Sequence, residues 1–223
     1  MKELVAQEMA RRVQDGDIIG VGTGSTVDAA LDEIGKRIGR EKLSVRVVPS
    51  SYQSAWRCQE IGLQVMYPGY RGHLSWGFDG ADQVTRERWA IKGKGGALLQ
   101  EKILAKRCRH FVIIVDESKV VDKLGEGCPI PVEVIPEGLL LAEEGLRRIG
   151  ATELTLRSGS GKHGPIITER GNLIVDATFP AIHAHTEREI KELVGVVDSG
   201  LFTGYVSEVV IASSKGLTVL KDG

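Results

Sequence analysis

Apolar Val5, Met9 and Val13 recur at every fourth position, which predicts an amphipathic helix over residues 2–14. Asp15-Gly16 ends it, and residues 17–21 read as a short buried strand. Ser25-Thr26 is placed to cap a second helix, whose Val27, Ala30, Leu31, Ile34 and Ile38 share one face. Residues 43–48 form a β-branched run ending in Pro49-Ser50-Ser51, and a helix follows to about Ile61. Then come a strand near Val65, a strand ending at Phe78-Asp79, a helix from about Ala97 and the apolar run 111–115. Strands alternating with helices predict an α/β domain whose parallel sheet is covered on both faces.

After Gly127 the pattern changes. Pro129-Ile130-Pro131-Val132-Glu133-Val134-Ile135-Pro136 leads into a helix carrying Leu139, Leu140, Leu146 and Ile149. Residues 152–157, a glycine-rich turn (158–164), residues 166–168 and residues 173–177 read as strands joined by tight turns, followed by a helix over about 186–194. This is α+β patterning, so a second, smaller domain is expected over 128–203. Residues 206–212 and 217–220 are strands again. They are expected to return to the first sheet, giving a main domain of 1–127 plus 204–223.

Composition narrows the function classes. With 29 basic and 30 acidic side chains the net charge is −1, which gives no reason to expect a nucleic-acid partner. No apolar run approaches the roughly 18 residues of a membrane span, and the N-terminus lacks the apolar block of a signal peptide. Cys58, Cys108 and Cys128 form no CxxC pair and no even framework. A cytoplasmic globular protein is the expectation. Glycine is the unusual term: 28 residues, where an ordinary share would be about 16.

Many of those glycines fall in three loops at strand ends. In the first, Gly20-Val21-Gly22-Thr23-Gly24-Ser25-Thr26, glycines permit a tight bend and free N–H groups at a helix start attract an anion, with Thr23, Ser25 and Thr26 adding hydroxyls. A dinucleotide site fits less well than a small phosphate ester. Ser25 stands at the last glycine of G-x-G-x-x-G, and no acidic residue ends the second strand. A mere tight turn is the plainer alternative. The second loop, Asp79-Gly80-Ala81-Asp82-Gln83, sets two carboxylates at a strand's carboxyl end, able to bind sugar hydroxyls or move protons. A magnesium site would need a third acidic ligand that is not nearby, and an Asx-turn is the plain alternative. In the third, Lys92-Gly93-Lys94-Gly95-Gly96-Ala97, glycines allow close approach before a helix, and Lys92 can meet a phosphate or an oxyanion. Glu101 falls near the second turn of that helix, where a solvated carboxylate paired with a lysine is the plain alternative. Asp116-Glu117-Ser118-Lys119 offers another cation at a strand end.

Taken in order, Gly22-Thr23-Gly24-Ser25-Thr26, Asp79-Gly80-Ala81-Asp82, Lys92-Gly93-x-Gly95-Gly96-Ala97 with Glu101-Lys102-Ile103, Asp116-Glu117-Ser118-Lys119 and Pro129-Ile130-Pro131-Val132-Glu133-Val134 resemble the type A ribose-5-phosphate isomerase family. Gly171-Asn172, Gly195-Val196-Val197 and Gly200-Leu201-Phe202 extend the likeness nearly to the C-terminus. The resemblance implies a Rossmann-like parallel-sheet domain with a smaller inserted ferredoxin-like α+β domain. It implies interconversion of ribose 5-phosphate and ribulose 5-phosphate in the non-oxidative pentose phosphate pathway, without a metal or organic cofactor. Glu101 is the implied base, carrying a proton between C2 and C1 through an enediolate, with Lys92 and loop N–H groups stabilising the oxyanion. Asp79 and Asp82 are implied to bind hydroxyls, one of them assisting ring opening. Thr23, Gly24, Ser25, Thr26 and Lys119 are implied to hold the phosphate end, with Lys2 a weaker candidate. Gly80, Ala81, Gly93, Lys94 and Gly95 complete the implied substrate contacts. A homodimer or homotetramer is implied, with neither nucleic acid nor membrane as partner.

Three positions depart from the family pattern: Gln83 where an acidic residue is usual, Lys94 within a normally glycine and alanine loop, and Val194 where proline is common before Gly195. Other features are tempting but plain. His183 and His185 lack further ligands for a metal, Cys108 and Cys128 carry no mark of a low thiol pKa, and Arg107, Arg109 and His110 read as a solvated helix end. Leu201-Phe202 suits either a core or an interface. Two other readings stand beside the isomerase. A sugar-phosphate-binding regulator would be expected to carry a DNA-binding module, for which the chain shows neither a segment before Lys2 nor a basic surplus. An isomerase or deaminase of another sugar phosphate is the other.

Overall fold

A computed structural model describes residues 1–66, 70–161 and 163–221. The chain opens with α1 (Lys2–Arg12), β1 (Ile18–Val21), α2 (Ser25–Glu41), β2 (Arg46–Pro49), α3 (Tyr52–Glu60) and β3 (Gln64–Val65). Next come β4 (Trp76–Asp79), β5 (Gln83–Val84), β6 (Ala90–Ile91), α4 (Leu98–Arg107), β7 (Phe111–Asp116) and β8 (Ile130–Val134). Then follow α5 (Leu139–Arg148), β9 (Glu153–Leu156), β10 (Leu173–Thr178), α6 (Thr186–Lys191), β11 (Val196–Ser199) and β12 (Leu201–Phe202). The chain closes with β13 (Glu208–Ser213) and β14 (Gly216–Lys221). Two compact units result: residues 1–81, 100–120 and 204–223, and residues 82–99 with 121–203.

The first unit is a seven-stranded sheet in the order β14-β13-β7-β4-β1-β2-β3. All its neighbours are parallel except the β13–β14 edge hairpin. Alternate strand positions face opposite ways, and each side is covered. Ile19, Val21, Phe78, Val112 and Ile114 join one core with Val5 and Met9 of α1 and Val27, Leu31 and Ile34 of α2. On the other side, a Cβ on Gly20 would fall 2.9 Å from the Cys108 sulfur and 3.0 Å from Leu104, so α4 lies directly against the sheet there. The chain leaves β1 through β2 and β3 and returns on β1's other flank as β4, which makes the β1/β4 gap the topological switch point.

The second unit has a four-stranded antiparallel sheet ordered β11-β8-β10-β9. The chain order β8-α5-β9-β10-α6-β11 makes it the ferredoxin-like split βαβ arrangement. Its core joins Val132, Val134, Val175 and Ala177 with Ala142, Leu146 and Ile190. A three-stranded sheet, β12-β6-β5, completes it.

Several expectations need correction. Residues 82–99, and 121–127, belong to the second unit rather than the first. The cause is pairing distant in sequence: β6 pairs with β5 and with β12, and the Gln83 amide ties to residues 125 and 126. Strands of two residues leave too little alternation to be read from sequence. Residues 166–168 form no strand; Ile166 donates to the Arg157 carbonyl, and Ser158 and Pro165 make a lone bridge. Lys162 of the glycine-rich turn lies outside the described residues. Gly24, at φ +125°, caps α2 in place of the expected Ser25-Thr26, which open the helix itself. Leu201 and Phe202 are fully buried, so they are core.

Candidate active site

The 22–26 loop follows β1, and Asp79 ends β4, so both sit at the carboxyl edge beside the switch point, where open α/β sheets bind ligands. Asp79 is fully buried. Its Oδ1 accepts from the Thr23 N–H at 3.1 Å and from the Gly80 N–H at 2.8 Å, so one carboxylate oxygen ties the first two loops together. Gly22 is what admits it: a Cβ there would lie 2.0 Å from the Asp79 Cγ. An Asx-turn would bond the N–H two residues on; the Asp79 Oδ1 contacts are instead with the adjacent Gly80 N–H and with Thr23 of the neighbouring loop.

Beneath the 22–26 loop lies a knot of hydroxyls. The Thr23 hydroxyl donates to Ser51 at 2.8 Å and lies 2.9 Å from Ser50 Oγ and 3.1 Å from Ser54 Oγ. Ser51 donates to Ser54 at 3.0 Å, and Ser54 to the Gly22 carbonyl at 2.7 Å. Thr23 is thus engaged inward. Ser25 and Thr26 occupy the first turn of the 17-residue α2, whose N-terminal N–H groups and dipole favour an anion. Lys2 reaches the same point, donating to Ser25 Oγ at 2.8 Å. Ser50, Ser51 and Ser54 were readable as a group only through their capping spacing: Ser51 caps α3 by accepting from the Ser54 N–H.

Glu101 sits in the first turn of α4, not the second, because the helix starts at Leu98. At 3% exposure it is no solvated surface carboxylate. Its place along the sheet follows from its helix. Cys108 bridges to Leu74 ahead of β4, and Leu104 meets Gly20 in mid-β1. Hence α4 runs antiparallel to those strands, and Glu101, one turn earlier, lies toward the carboxyl edge that holds Asp79 and the 22–26 loop. Lys119 closes the 3-10 turn after β7, the strand next to β4, on that edge as well. Ala81 follows Gly80 at the end of this unit.

The remaining predicted residues, Asp82, Lys92, Gly93, Lys94 and Gly95, belong to the second unit. Lys92 is 3% exposed, its N–H donates to the Gly200 carbonyl at 2.8 Å, and its ammonium lies 5.8 Å from the Phe202 ring centre. A Cβ on Gly200 would fall 2.0 Å from the Lys92 carbonyl oxygen, so only glycine fits at position 200. The Lys94 N–H donates to Asp82 Oδ2 at 3.1 Å, and Lys94 stays outside the left-handed region that Gly93 (φ +97°) and Gly96 (φ +84°) adopt. The departure at Gln83 has a structural use. Its amide donates to the Glu126 carbonyl at 2.8 Å and accepts from the Gly125 N–H at 2.9 Å, a pairing an ionised glutamate cannot make.

These placements acquire meaning from likeness to known proteins. Residues 46–216 match the family model described as ribose 5-phosphate isomerase A (phosphoriboisomerase A). The chain belongs to that family. Ribose-5-phosphate isomerase A of Methanocaldococcus jannaschii is 40% identical over 224 residues, 99% of this chain and 97% of its own. That of Methanothermobacter thermautotrophicus is 38% identical over 223 residues, 99% of this chain and 97% of its own. Among solved structures, the Methanocaldococcus jannaschii isomerase superposes with a TM-score of 0.95 at 39% identity, over 99% of this chain and 98% of its own. A D-ribose-5-phosphate isomerase in complex with phospho-erythronic acid gives 0.95 at 34%, over 99% and 97%. The α/β assignment and the resemblance to the type A isomerases are therefore sound.

The residues set aside on sequence grounds have ordinary places. Burial pushes the Cys108 thiol up to about 12, which suits an inert side chain. The His183 and His185 rings stack at 5.4 Å, and among the described residues no cluster of three metal-ligating side chains forms. Arg107 is not simply solvated, since it donates to the Tyr70 and Gly72 carbonyls, and His110 pairs with Glu208. A cavity of about 700 Å³ in the second unit, walled by Trp89, Phe179 and Ile182, contains none of the predicted site residues. Among the described residues no helix is long and apolar enough to cross a membrane.

Proposed function

We propose that the chain interconverts D-ribose 5-phosphate and D-ribulose 5-phosphate, the isomerisation of the non-oxidative pentose phosphate pathway, with Glu101 as the proton-carrying base. The observation that carries this reading is a buried carboxylate at the carboxyl edge of a family sheet, on the same edge as a buried aspartate and a loop whose helix-start N–H groups favour an anion.

In the forward direction the Glu101 carboxylate takes the proton from C2 of the open-chain aldose. The C–H electron pair forms the C1–C2 double bond, and the carbonyl electrons move to O1. Returning the proton to C1, with the O2 proton transferred to O1 and the O2–H electron pair forming the C2 carbonyl, gives the ketose, so nothing is consumed. Carbon acids ionise reluctantly, and the developing oxyanion needs fixed donors; Lys92 and loop N–H groups have that role. Asp79 and Asp82 bind hydroxyls, and one of them assists ring opening. The phosphate rests on residues 23–26 with Lys119 and Lys2, which α2's dipole favours. A relative solved in complex with phospho-erythronic acid, a sugar acid carrying a phosphate ester, supports a site for a small phosphorylated sugar.

The test is turnover. Purified protein in EDTA is expected to form ribulose 5-phosphate and to exchange the C2 hydrogen with solvent, in preference to other pentose and hexose phosphates. Glu101→Gln is expected to lose kcat by about 10³-fold or more with KM nearly unchanged. Strict metal dependence, or a Glu101→Gln enzyme close to wild type, refutes the mechanism. Ligand binding without turnover, together with specific DNA binding, supports the regulator instead.

A further inference from the structure

The 92–96 loop is fastened from a direction that nothing in its own sequence announces. Arg157, the first residue after β9, donates through Nη1 to the Gly93 carbonyl at 2.9 Å and to the Lys94 carbonyl at 3.0 Å. The guanidinium's other edge is held by Asp176 of β10, with Nε donating to Oδ2 at 2.8 Å and Nη2 to Oδ1. Arg157 and Asp176 side chains are 14% and 18% exposed. All these residues belong to one unit. Gly96 touches the same strand, where a Cβ would meet Ile174 Cδ1 at 3.5 Å.

An ordinary cross-strand ion pair contributes up to about 1 kcal/mol and ends at the two side chains. This one uses the planar fork of arginine in full: one edge is fixed by a carboxylate so that the far nitrogen collects two successive carbonyls. In a trans peptide the C=O and the following N–H point opposite ways. Drawing the Gly93 and Lys94 carbonyls toward Arg157 therefore turns the Lys94 and Gly95 N–H groups away from it. The Lys94 N–H accordingly reaches Asp82. The same orientation aims the positive ends of two peptide dipoles to the side of the loop where Asp82 stands.

We propose that Arg157, braced by Asp176, is the positioning residue of the 92–96 loop: it fixes the peptide planes so that the Lys94 N–H is held on Asp82 and the Gly95 N–H, with Lys92, is aimed to stabilise the enediolate. This rests on the isomerase reading above. Arg157 touches no reacting atom. Its contribution lies in holding donors still, so its loss falls on the transition state more than on ground-state binding.

The experiment compares Arg157→Ala, Arg157→Lys and Asp176→Asn with the unaltered enzyme. Expected for Arg157→Ala is a kcat lower by about 10–100-fold with KM within about three-fold. Millimolar guanidinium should restore several-fold of that loss, whereas urea at equal concentration restores none. Arg157→Lys keeps the charge but cannot span the four acceptor atoms on Asp176, Gly93 and Lys94, so it should stay well below wild type. Should Arg157→Ala not fold, Arg157→Lys and Asp176→Asn carry the same test. Hydrogen exchange of the peptide covering 92–98 should quicken in each variant. A kcat within two-fold of wild type in any folded variant, or a loss in folded Arg157→Ala that guanidinium does not relieve, overturns the proposal. If the unaltered chain fails to isomerise ribose 5-phosphate, the functional reading falls instead. The exchange measurement then still decides whether Arg157 holds the loop.

Discussion

The two glycine-rich loops are held by different chemistry and from different distances along the chain. The 22–26 loop rests on oxygens of its own sheet edge: Asp79 below Gly22, and the Ser50, Ser51 and Ser54 hydroxyls under Thr23. The 92–96 loop hangs from a guanidinium more than sixty residues on, opposed by Asp82. The first is a close-packed cradle that leaves little room for change, with its backbone N–H groups at a helix start. The second carries glycines at positive φ, Gly93 and Gly96, and beyond its own Gly96 N–H to Gly93 carbonyl bond its carbonyls are collected from outside by Arg157. A phosphate needs a rigid pocket of N–H groups. An oxyanion that exists only during reaction needs donors already aimed, and an external brace can supply that.

The most severe way to break the first cradle is Gly22→Ala. The new methyl would overlap the Asp79 carboxylate outright, with Cβ at 2.1 Å from Oδ1. Either the loop or Asp79 must move. A stability loss of about 1–3 kcal/mol is expected, with KM for ribose 5-phosphate raised about ten-fold or more in whatever folds. Thermal melts and steady-state kinetics read the two separately. An unchanged KM would mean that close packing against Asp79 does not shape the proposed phosphate site.

Ser54→Ala is milder. It takes a donor from the buried Gly22 carbonyl and a neighbour from Thr23, while the α3 cap survives through Ser51. About 1–2 kcal/mol of stability should go, and KM should rise less than in Gly22→Ala. If kcat falls with KM constant, then the 22–26 loop acts on the transition state, and the contrast between the two loops fails.

The same contrast explains how far the sequence could be read. The six α-helices of the described residues and the main parallel strands are legible in the sequence pattern, and the 22–26, 79–82 and 92–96 loops announce themselves by glycine, serine and aspartate at strand ends. Their meaning came from resemblance as an ordered set, since each admits a plain alternative alone. Whatever depended on distant partners was hidden. The two-residue β5 and β6 pair within a sheet closed by β12, and so nothing along the sequence places residues 82–99 with the second unit. Arg157 and Asp176 look like any arginine and aspartate beside a turn or in an apolar strand; only the pairing of β9 with β10 places them under one loop. Glu101 was identifiable by motif, but its burial is a tertiary fact.

The smallest effect is expected at the opposite edge of the first sheet, and it serves as the control for both loops. Glu208 opens β13 beside Val112, near the amino end of β7, away from the carboxyl-edge loops. It is buried, accepting from Arg12 at 2.6 Å and lying 3.0 Å from the His110 ring nitrogen. Burial alone would raise its pKa, but the hydrogen bonds and charges of Arg12 and His110 outweigh that and hold it below the ordinary 4.5. A carboxylate lowered in the folded state stabilises above its unfolded value, and that contribution is lost as pH falls through the folded one. Glu208→Gln should therefore be less stable than wild type at neutral pH by about 1 kcal/mol, and the gap should close on acidification below pH 4.5. Melting temperatures across that range measure it. Because Glu208 stands at the amino edge, kcat and KM should not move. A gap that widens in acid, or a change in kcat, would show that this ion pair communicates with the site, and that the loops are not held by their local braces alone.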